Sequence, residues 1–293
     1  MAYILYYLII YPLSLLPMSV NRGISYFIYI ILYYFIGYRK NVVIDNLTKS
    51  FPNKTRKEIE LIAKAFYKHL ANMFGESLKN FSITEKDARK RLTIKNIEVI
   101  DKYAEKGQSI ISIGGHYGNW ELFAVTVPLL AKHKHAALYH PIKSPFFDRI
   151  MRSTRSKFGI EMITSRRLHQ LLSEKQEKPV SLVFAADQWT PNPKKAHWTH
   201  FLNRETPFFM GAEKMARRYN LPVVYGEIVK IKASHYEVTY HELTDDPSKL
   251  KEGEIMDRYA QLLEKTIKTH NPAHWLWSHK RWKMSKEEVF QKN

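Results

Sequence analysis

The amino-acid sequence predicts an α/β protein with a mixed, mostly parallel sheet, helices on both faces of the sheet, and an N-terminal membrane-anchoring helical segment. First, short β-rich apolar runs alternate with longer helix-forming runs over most of the chain, a pattern that favours a sheet covered on both faces. Second, residues 1–38 are almost devoid of charge. Third, no linker or internal repeat divides the 293 residues, which indicates one large domain after the apolar segment.

The apolar segment has two halves. Tyr3–Val20 is interrupted by Pro12 and Pro17, residues 21–23 (Asn-Arg-Gly) break the run, and Ile24–Tyr38 resumes it with many aromatic residues. A straight membrane-spanning helix needs about 20 apolar residues, so one tilted span and a membrane-embedded helical hairpin both fit. A buried apolar helix of a soluble protein is the alternative. A cleaved signal peptide is disfavoured, because no basic stretch precedes the apolar run.

Charge and cysteine content limit the partners and the chemistry. Lys and Arg number 46 against 28 Asp and Glu, a formal charge of +18, which favours phospholipid surfaces, phosphorylated lipids, acidic carrier proteins or nucleic acid. Arg39 and Lys40 follow the apolar segment and predict a cytoplasmic location for the rest of the chain. The absence of cysteine excludes disulfides, cysteine-ligated metal and a cysteine nucleophile.

Helices and strands can be placed in order. Thr55 and Glu58 form a capping box that opens a long amphipathic helix, and Thr84 with Asp87 starts a short one. Further helices are predicted at Ile97–Glu105, Leu122–Leu130, Pro145–Lys157, Arg166–Ser173, Gly211–Tyr219 and Glu254–His270. Strands are predicted at Ser109–Ile113, Ala136–His140, Glu161–Thr164, Val180–Ala185, Leu221–Val229 and His235–His241. His116, His140 and Asp187 would then lie at carboxyl ends of strands, where α/β sheets bind ligands.

The stretch Gly114–Glu121, GGHYGNWE, lies between a predicted strand and a predicted helix. Residues five apart on one helix are separated by about 140°, so His116 and Glu121 can cooperate only with His116 in the turn and Glu121 in the first helical turn. The glycine pair lets the backbone bend and leaves N–H groups near a helix N-terminus. A histidine oriented by Glu121 beside such donors is a candidate general base; a capping histidine with a first-turn glutamate is the structural alternative.

In this setting the HX4E pattern resembles the motif of the late acyltransferases of lipid A biosynthesis, within the lysophospholipid acyltransferase superfamily. Three other stretches extend the resemblance in order: Asn46-Leu47 with Ser50-Phe51-Pro52, the strand-end pair Asp187-Gln188, and Trp275–Lys283 (WLWSHKRWK). The resemblance covers nearly the whole chain. The uncharged composition predicts that residues 1–38 are a hydrophobic membrane anchor, and the resemblance implies that residues 39–293 are an acyltransferase domain.

The resemblance also implies site residues beside the catalytic pair His116 and Glu121. The candidates for substrate binding are Tyr117, Asn119, Tyr139, His140, Arg149, Asp187 and Gln188. His140 stands where the family commonly has arginine, and we interpret Arg149 as the replacement for anionic contacts, with a solvated basic helix face as the alternative. Asn119 either orients a ligand or caps the helix. Asp187 either contacts the ligand or holds loop backbone.

The function implied by the resemblance is transfer of a fatty acyl chain from an acyl carrier protein thioester to a lipid A precursor of the Kdo-lipid A type. The enzyme would be in the cell inner membrane, with the catalytic domain facing the cytoplasm, and would need no cofactor. No metal site is predicted, because HX4E lacks the histidine pair of a zincin helix. Another lyso-lipid or an aminoacyl lipid is the alternative acceptor. A non-enzymatic membrane protein that binds anionic lipid or nucleic acid is the other class, but no nucleic-acid-binding signature is present and we expect no nucleic-acid partner.

Overall fold

The computed structural model of the protein describes residues 2–174 and 176–291. Its centre is a seven-stranded sheet in the order β1-β9-β8-β2-β5-β3-β4, and a separate two-stranded hairpin is formed by β6 and β7. The strands are β1 Leu92–Ile94, β2 Ile110–Gly114, β3 Lys134–Leu138, β4 Glu161–Ile163, β5 Val180–Ala185, β6 His197–Phe201, β7 Arg204–Phe208, β8 Val223–Lys232 and β9 His235–Thr244. Within the large sheet β8 and β9 pair antiparallel and the other neighbours pair parallel. The prediction of a mixed, mostly parallel sheet is confirmed.

Helices cover both faces of this sheet. They are α1 Ala2–Leu5, α2 Tyr11–Leu15, α3 Met18–Ile30, α4 Lys40–Ser50, α5 Arg56–Asn80, α6 Glu85–Arg91, α7 Glu98–Glu105, α8 Trp120–Leu130, α9 Pro145–Arg155, α10 Ser165–Ser173, α11 Gly211–Tyr219, α12 Glu254–Thr269 and α13 Lys286–Gln291. Alternate residues of β2 enter two different cores: Ile111 and Ile113 pack with α11 and α12, whereas Ile110 packs with α7 and α8. This two-sided burial explains why β2 reads as a continuous apolar run.

The strand register brings two loops together. β2 and β5 are parallel neighbours, with Gly114 opposite Ala185. The residues two positions further on, His116 and Asp187, therefore leave the same edge of the sheet side by side. The predicted location of these residues at carboxyl strand ends is confirmed.

The N-terminal residues form helices that pack on α5. Between α1 and α2, and again after α3, the helix widens to π-helical geometry, at Tyr6–Ile10 and Ile31–Ile36. α3 approaches α5 so closely that a Cβ added at Gly75 would lie 2.1 Å from Ser25 Oγ. No single helix of the described chain has both the length and the apolar character to cross a membrane, although Met18–Ile36 and α4, bent by 93°, have them together. Membrane anchoring and the boundary at residue 38 stay predictions.

Some elements were not predicted from the sequence. They are β1, the β6–β7 hairpin, α4 and α13. The hairpin turns at Leu202 and Asn203, both with positive φ, and this turn carries no glycine for the sequence to reveal. The other helices and strands lie where they were predicted, with ends shifted by a few residues, and the Thr55–Glu58 capping box is present.

Candidate active site

The turn between β2 and α8 requires glycine at two positions. A Cβ added at Gly115 would lie 2.9 Å from Leu263 Cδ1 and 3.3 Å from Asp187 Oδ2. Gly118 has φ +67°, and a Cβ there would lie 2.7 Å from the Ile228 carbonyl oxygen. A side chain at Gly118 would displace the loop, because φ is positive and the Ile228 backbone lies against it, whereas a side chain at Gly115 would have to move the packed Leu263 side chain. The tight turn expected from the sequence is present, and the backbone strain falls on Gly118 rather than on Gly114.

Asp187 is the hydrogen-bond partner of His116. The His116 Nδ1–H group donates to Asp187 Oδ1 at 2.6 Å, and the His116 backbone N–H donates to Asp187 Oδ2 at 2.7 Å. One carboxylate thus fixes both the ring and the backbone of the histidine. This bond keeps the proton on Nδ1 and leaves Nε2 as the basic nitrogen.

The C-terminal loop supports the Asp187 carboxylate. The Trp275 indole Nε1–H donates to Asp187 Oδ2 at 2.7 Å, so this buried oxygen accepts two N–H donors. Burial alone would raise the pKa of Asp187, but the His116 charge and the hydrogen bonds from His116 and Trp275 lower the pKa to about 2. Arg281, fully buried nearby, has its pKa lowered to about 10 by burial, with the Asp187 charge opposing that change. Asp187 is therefore a carboxylate at neutral pH.

The same carboxylate sets the basicity of His116. Burial lowers the pKa of the imidazole, but the Asp187 charge and hydrogen bond outweigh burial, and the net pKa is raised, with a further contribution from the Glu121 charge. On the other side of the ring the Gln188 amide Nε2 lies 3.1 Å from His116 Nε2. The Trp120 ring packs edge-on against the imidazole, with centroids 5.0 Å apart. These contacts fix the orientation of the His116 imidazole, and its Nε2 can take up a proton.

Glu121 pairs with Arg155, and this corrects one prediction. The Arg155 Nε–H and Nη2–H groups donate to Glu121 Oε2 and Oε1 at 2.9 and 2.6 Å, a bidentate pair. Within residues 2–174 and 176–291 no hydrogen bond joins Glu121 to His116. The expectation that Glu121 orients His116 is therefore wrong about the partner, because Glu121, on the first turn of α8, faces the end of α9. Glu121 acts on His116 through charge alone.

The structure separates the residues predicted around Tyr139. His140 and Arg149 are exposed, and neither lines the cavity beside His116. The Tyr139 hydroxyl donates to Asp148, and the Arg155 guanidinium lies 5.8 Å from the centre of the Tyr139 ring. Arg155, one helical turn beyond Arg152, is the arginine that reaches the site, and the sequence prediction of Arg149 missed it by six residues.

Tyr117 and Asn119 are buried structural residues. The Tyr117 hydroxyl donates to the Asn271 carbonyl and accepts from the Asn271 N–H, both at 3.0 Å. The Asn119 side chain caps α8 by accepting the Leu122 N–H at 2.9 Å, and its amide donates to Glu76 Oε2 at 2.7 Å. Neither lines the cavity, so of the two roles considered for Asn119 the structure displays capping.

A cavity of about 370 Å³ opens beside the histidine, between the sheet and α8. Four polar side chains lie at one end: His116, Glu121, Arg155 and Gln188. Its apolar wall consists mainly of Phe123, Ala124, Leu138, Ile160, Met162, Phe184 and Ile228. A cavity of this size, with an apolar wall and a few polar groups at one end, is typical of a small-molecule binding site.

A second, wider groove adjoins the cavity. It has a volume of about 600 Å³ and runs between α5, the N-terminal helices and the C-terminal loop. Trp120, Glu121 and Leu276 line both spaces. Two apolar spaces thus meet next to the histidine. No group of three or more His, Asp and Glu side chains in the described part of the chain is placed to hold a metal ion.

Comparison with known proteins shows the family of the chain. The profile of the bacterial lipid A biosynthesis acyltransferases matches residues 1–284. The chain belongs to this family. It is also similar to lipid A biosynthesis acyltransferase 2 of Shigella flexneri, with 27% identity over 122 residues, a match that spans 39% of this chain and 36% of that protein. The resemblance inferred from the sequence motifs is confirmed.

The two terminal motifs that carried the resemblance contact each other. Asn46 of α4 donates from its amide to the carbonyl oxygens of Trp277 and His279, at 2.9 and 3.1 Å. His279 Nε2 in turn accepts the Trp189 backbone N–H at 3.0 Å. In this family member α4 therefore holds the C-terminal loop, and that loop holds Asp187 through Trp275.

Proposed function

We propose that the protein transfers a fatty acyl chain from a thioester to a hydroxyl of a lipid A precursor, with His116 as general base. One observation carries the proposal: an imidazole fixed by Asp187 through Nδ1 presents its basic Nε2, which contacts the Gln188 amide, where an apolar cavity meets an apolar groove. A general base must lie within hydrogen-bond reach of the proton that it removes. Membership of the lipid A acyltransferase family supports this choice of reaction.

In the proposed reaction the acceptor hydroxyl takes the place of the Gln188 amide at His116 Nε2. The hydroxyl proton moves to Nε2 while its oxygen attacks the thioester carbonyl carbon, which gives a tetrahedral oxyanion and an imidazolium. Asp187 stabilises the imidazolium, as the carboxylate does in a serine protease triad. Collapse of the intermediate breaks the carbon–sulfur bond, and the imidazolium proton passes to the thiolate. No acyl-enzyme is needed.

Arg155 is proposed to stabilise the oxyanion. It lines the cavity together with His116, and Glu121 holds it by two of its N–H groups. A guanidinium carries five donors, so this pairing leaves others for the substrate. A cation fixed before the reaction costs no reorganisation in the transition state.

We infer that the inner cavity receives the donor acyl chain and the wider groove receives the acceptor lipid. The groove lies beside the N-terminal helices, whose outer faces expose large apolar side chains such as Leu8 and Phe35. This supports the proposal that those helices sit in the inner membrane with the catalytic domain on the cytoplasmic side. An acidic acyl carrier protein is the proposed donor, since the chain has a formal charge of +18.

The test is to incubate purified protein with acyl carrier protein thioesters and either a lipid A precursor or a total lipid extract. Mass spectrometry should show the precursor heavier by one acyl chain and the thioester consumed. Acylation of a different lipid would replace the acceptor, whereas an untouched thioester would refute the enzyme. His116→Ala is the inactive reference, and His200→Ala, at an exposed histidine of β6, is the matched control.

A further inference from the structure

A third open space lies away from the catalytic histidine, at the base of the N-terminal helices. It has a volume of about 870 Å³ and is bounded by Ile31–Ile36, α4 and the first turns of α5. Its lining combines basic and aromatic residues, among them Tyr33, Tyr34, Lys40, Lys54, Arg56 and Lys64. Two carboxylates, Asp45 and Glu60, also line it, and they pair with Lys49 at 2.7 Å and with Arg56 at 3.2 Å. We call this space the basic groove.

Two lysines of the basic groove have no carboxylate partner. Arg56 pairs with Glu60 at 3.2 Å and Lys54 with Glu58 at 3.5 Å. Lys40 and Lys64 form no ion pair within the described residues, although both are partly buried. Lys40 Nζ instead lies 4.2 Å from the centre of the Tyr33 ring, and the charge of Lys64 also acts on Tyr33. Partly buried cations without a counter-ion favour an anionic ligand.

Exposed apolar residues adjoin the basic groove and suggest the source of that anion. Tyr34, Phe35 and Ile36 are 60%, 80% and 64% exposed, and Tyr34 also lines the groove. Large aromatic and aliphatic side chains that stand out in this way suit the boundary between headgroups and acyl chains. A membrane that receives these residues would bring its headgroups to the level of Lys40 and Lys64.

We propose that the basic groove binds the phosphate headgroup of an anionic phospholipid, with Lys40 and Lys64 as its ligands. This rests on the proposed membrane association but concerns a site separate from the catalytic one. The bound lipid would not react; it would fix the depth of the N-terminal helices, and with it the position of the apolar groove relative to the bilayer.

The test compares binding of the full chain to vesicles of phosphatidylcholine alone and of phosphatidylcholine mixed with phosphatidylglycerol. The double variant Lys40→Gln/Lys64→Gln should lose most of the preference for phosphatidylglycerol, a decrease on the order of tenfold in affinity. Lys40→Arg/Lys64→Arg should retain it. The matched control is Lys90→Gln/Lys106→Gln, which removes the same charge at two exposed lysines outside the groove.

The proposal is refuted if the two glutamine double variants lose affinity equally, since that would indicate general charge attraction. It is also refuted if Lys40→Gln/Lys64→Gln keeps the preference for phosphatidylglycerol vesicles. This holds even if calorimetry shows that soluble glycerol phosphate binds the wild type and does not bind the variant, because the groove would then bind a free phosphate and not a lipid. Turnover is measured separately from vesicle binding. His116→Ala should bind vesicles like the wild type, and Lys40→Gln/Lys64→Gln should turn over substrates presented in detergent micelles, so failure of either proposal is recognised independently.

Discussion

At the scale of single residues, the proposed general base, His116, has its carboxylate partner 71 positions away in the sequence. The sequence identified His116 and placed both it and Asp187 at strand ends. It could not show that β2 and β5 are neighbours, because strand order depends on packing of the whole sheet rather than on local pattern. Glu121 was near in sequence and therefore the obvious partner. In the structure His116 is instead hydrogen-bonded to the distant Asp187.

Asp187→Asn tests how much the negative charge of Asp187 contributes, because asparagine has nearly the same shape without the charge. The variant keeps a hydrogen-bonding group beside His116 but loses the charge that raises the histidine pKa. In the proposed mechanism the active base is the neutral imidazole, so we expect kcat/KM to increase as pH rises through this pKa. In the variant we expect kcat to fall on the order of 10²–10⁴-fold and the acidic limb of the kcat/KM profile to move to lower pH. An unshifted limb would mean that another group is the base.

The Glu121–Arg155 pair should behave as a unit. Glu121→Gln removes the charge that holds the Arg155 guanidinium in place, and Arg155→Met removes the guanidinium itself. Each variant should therefore lower kcat on the order of 10²-fold. The double variant should be little worse than Arg155→Met, since Glu121 then has no cation to hold. Arg258→Met, which breaks a surface pair with Glu254 on α12, is the control and should leave kcat unchanged. Additive losses in the double variant would show two independent roles.

At the scale of elements, local patterns predicted the regular segments and failed at the irregular ones. A capping box and the helical spacing of apolar residues predict α5, and β5 is a six-residue run that is apolar except for Ser181. β1 has only three residues and gains its identity from pairing with β9. α4 lacks a capping side chain, since its N-cap Arg39 has φ 50°. Elements that depend on tertiary contacts leave no local signal.

The N-cap of α8 links the turn that carries His116 to α5. Asn119→Ala would remove the bond to the Leu122 N–H and leave the buried Glu76 carboxylate short of one donor. We expect a loss of about 3 kcal/mol in the free energy of unfolding. Thr84→Ala removes the exposed cap of α6 and should cost only about 1 kcal/mol. Urea unfolding measures both, and equal losses would show that the Glu76 contact contributes nothing.

At the scale of the whole molecule, positive surface charge is combined with histidines that burial keeps neutral. Burial lowers the pKa of five of them: His69, His133, His135, His274 and His279. For His274 and His279 the value is about 4, and for His135 about 3. The sequence showed 13 histidines but not which of them are enclosed. Their burial predicts a protein that is sensitive to acid.

The sign follows from proton uptake. Below the ordinary histidine pKa of about 6.5 the unfolded chain binds protons that the folded chain excludes, so stability falls as pH decreases toward the folded-state values. His116 acts in the opposite direction, because its raised pKa adds stability at low pH that is lost as pH rises. The lowered pKa of Asp187 contributes stability that is lost only as pH falls below about 4. Five histidines with a lowered pKa against one with a raised pKa should give a net loss of stability on acidification.

His135→Met tests this at the most deeply buried of these rings, since neither His135 nitrogen has a hydrogen-bond partner within the described residues. A histidine that stays neutral in the folded state should contribute a loss of about 2 kcal/mol between about pH 6.5 and about pH 5. The free energy of unfolding in urea should therefore decline less steeply with acid in His135→Met than in the wild type. His200→Gln, at an exposed histidine, should leave the slope unchanged. An identical slope in all three proteins would mean that His135 takes up its proton without unfolding, through a local opening of β3.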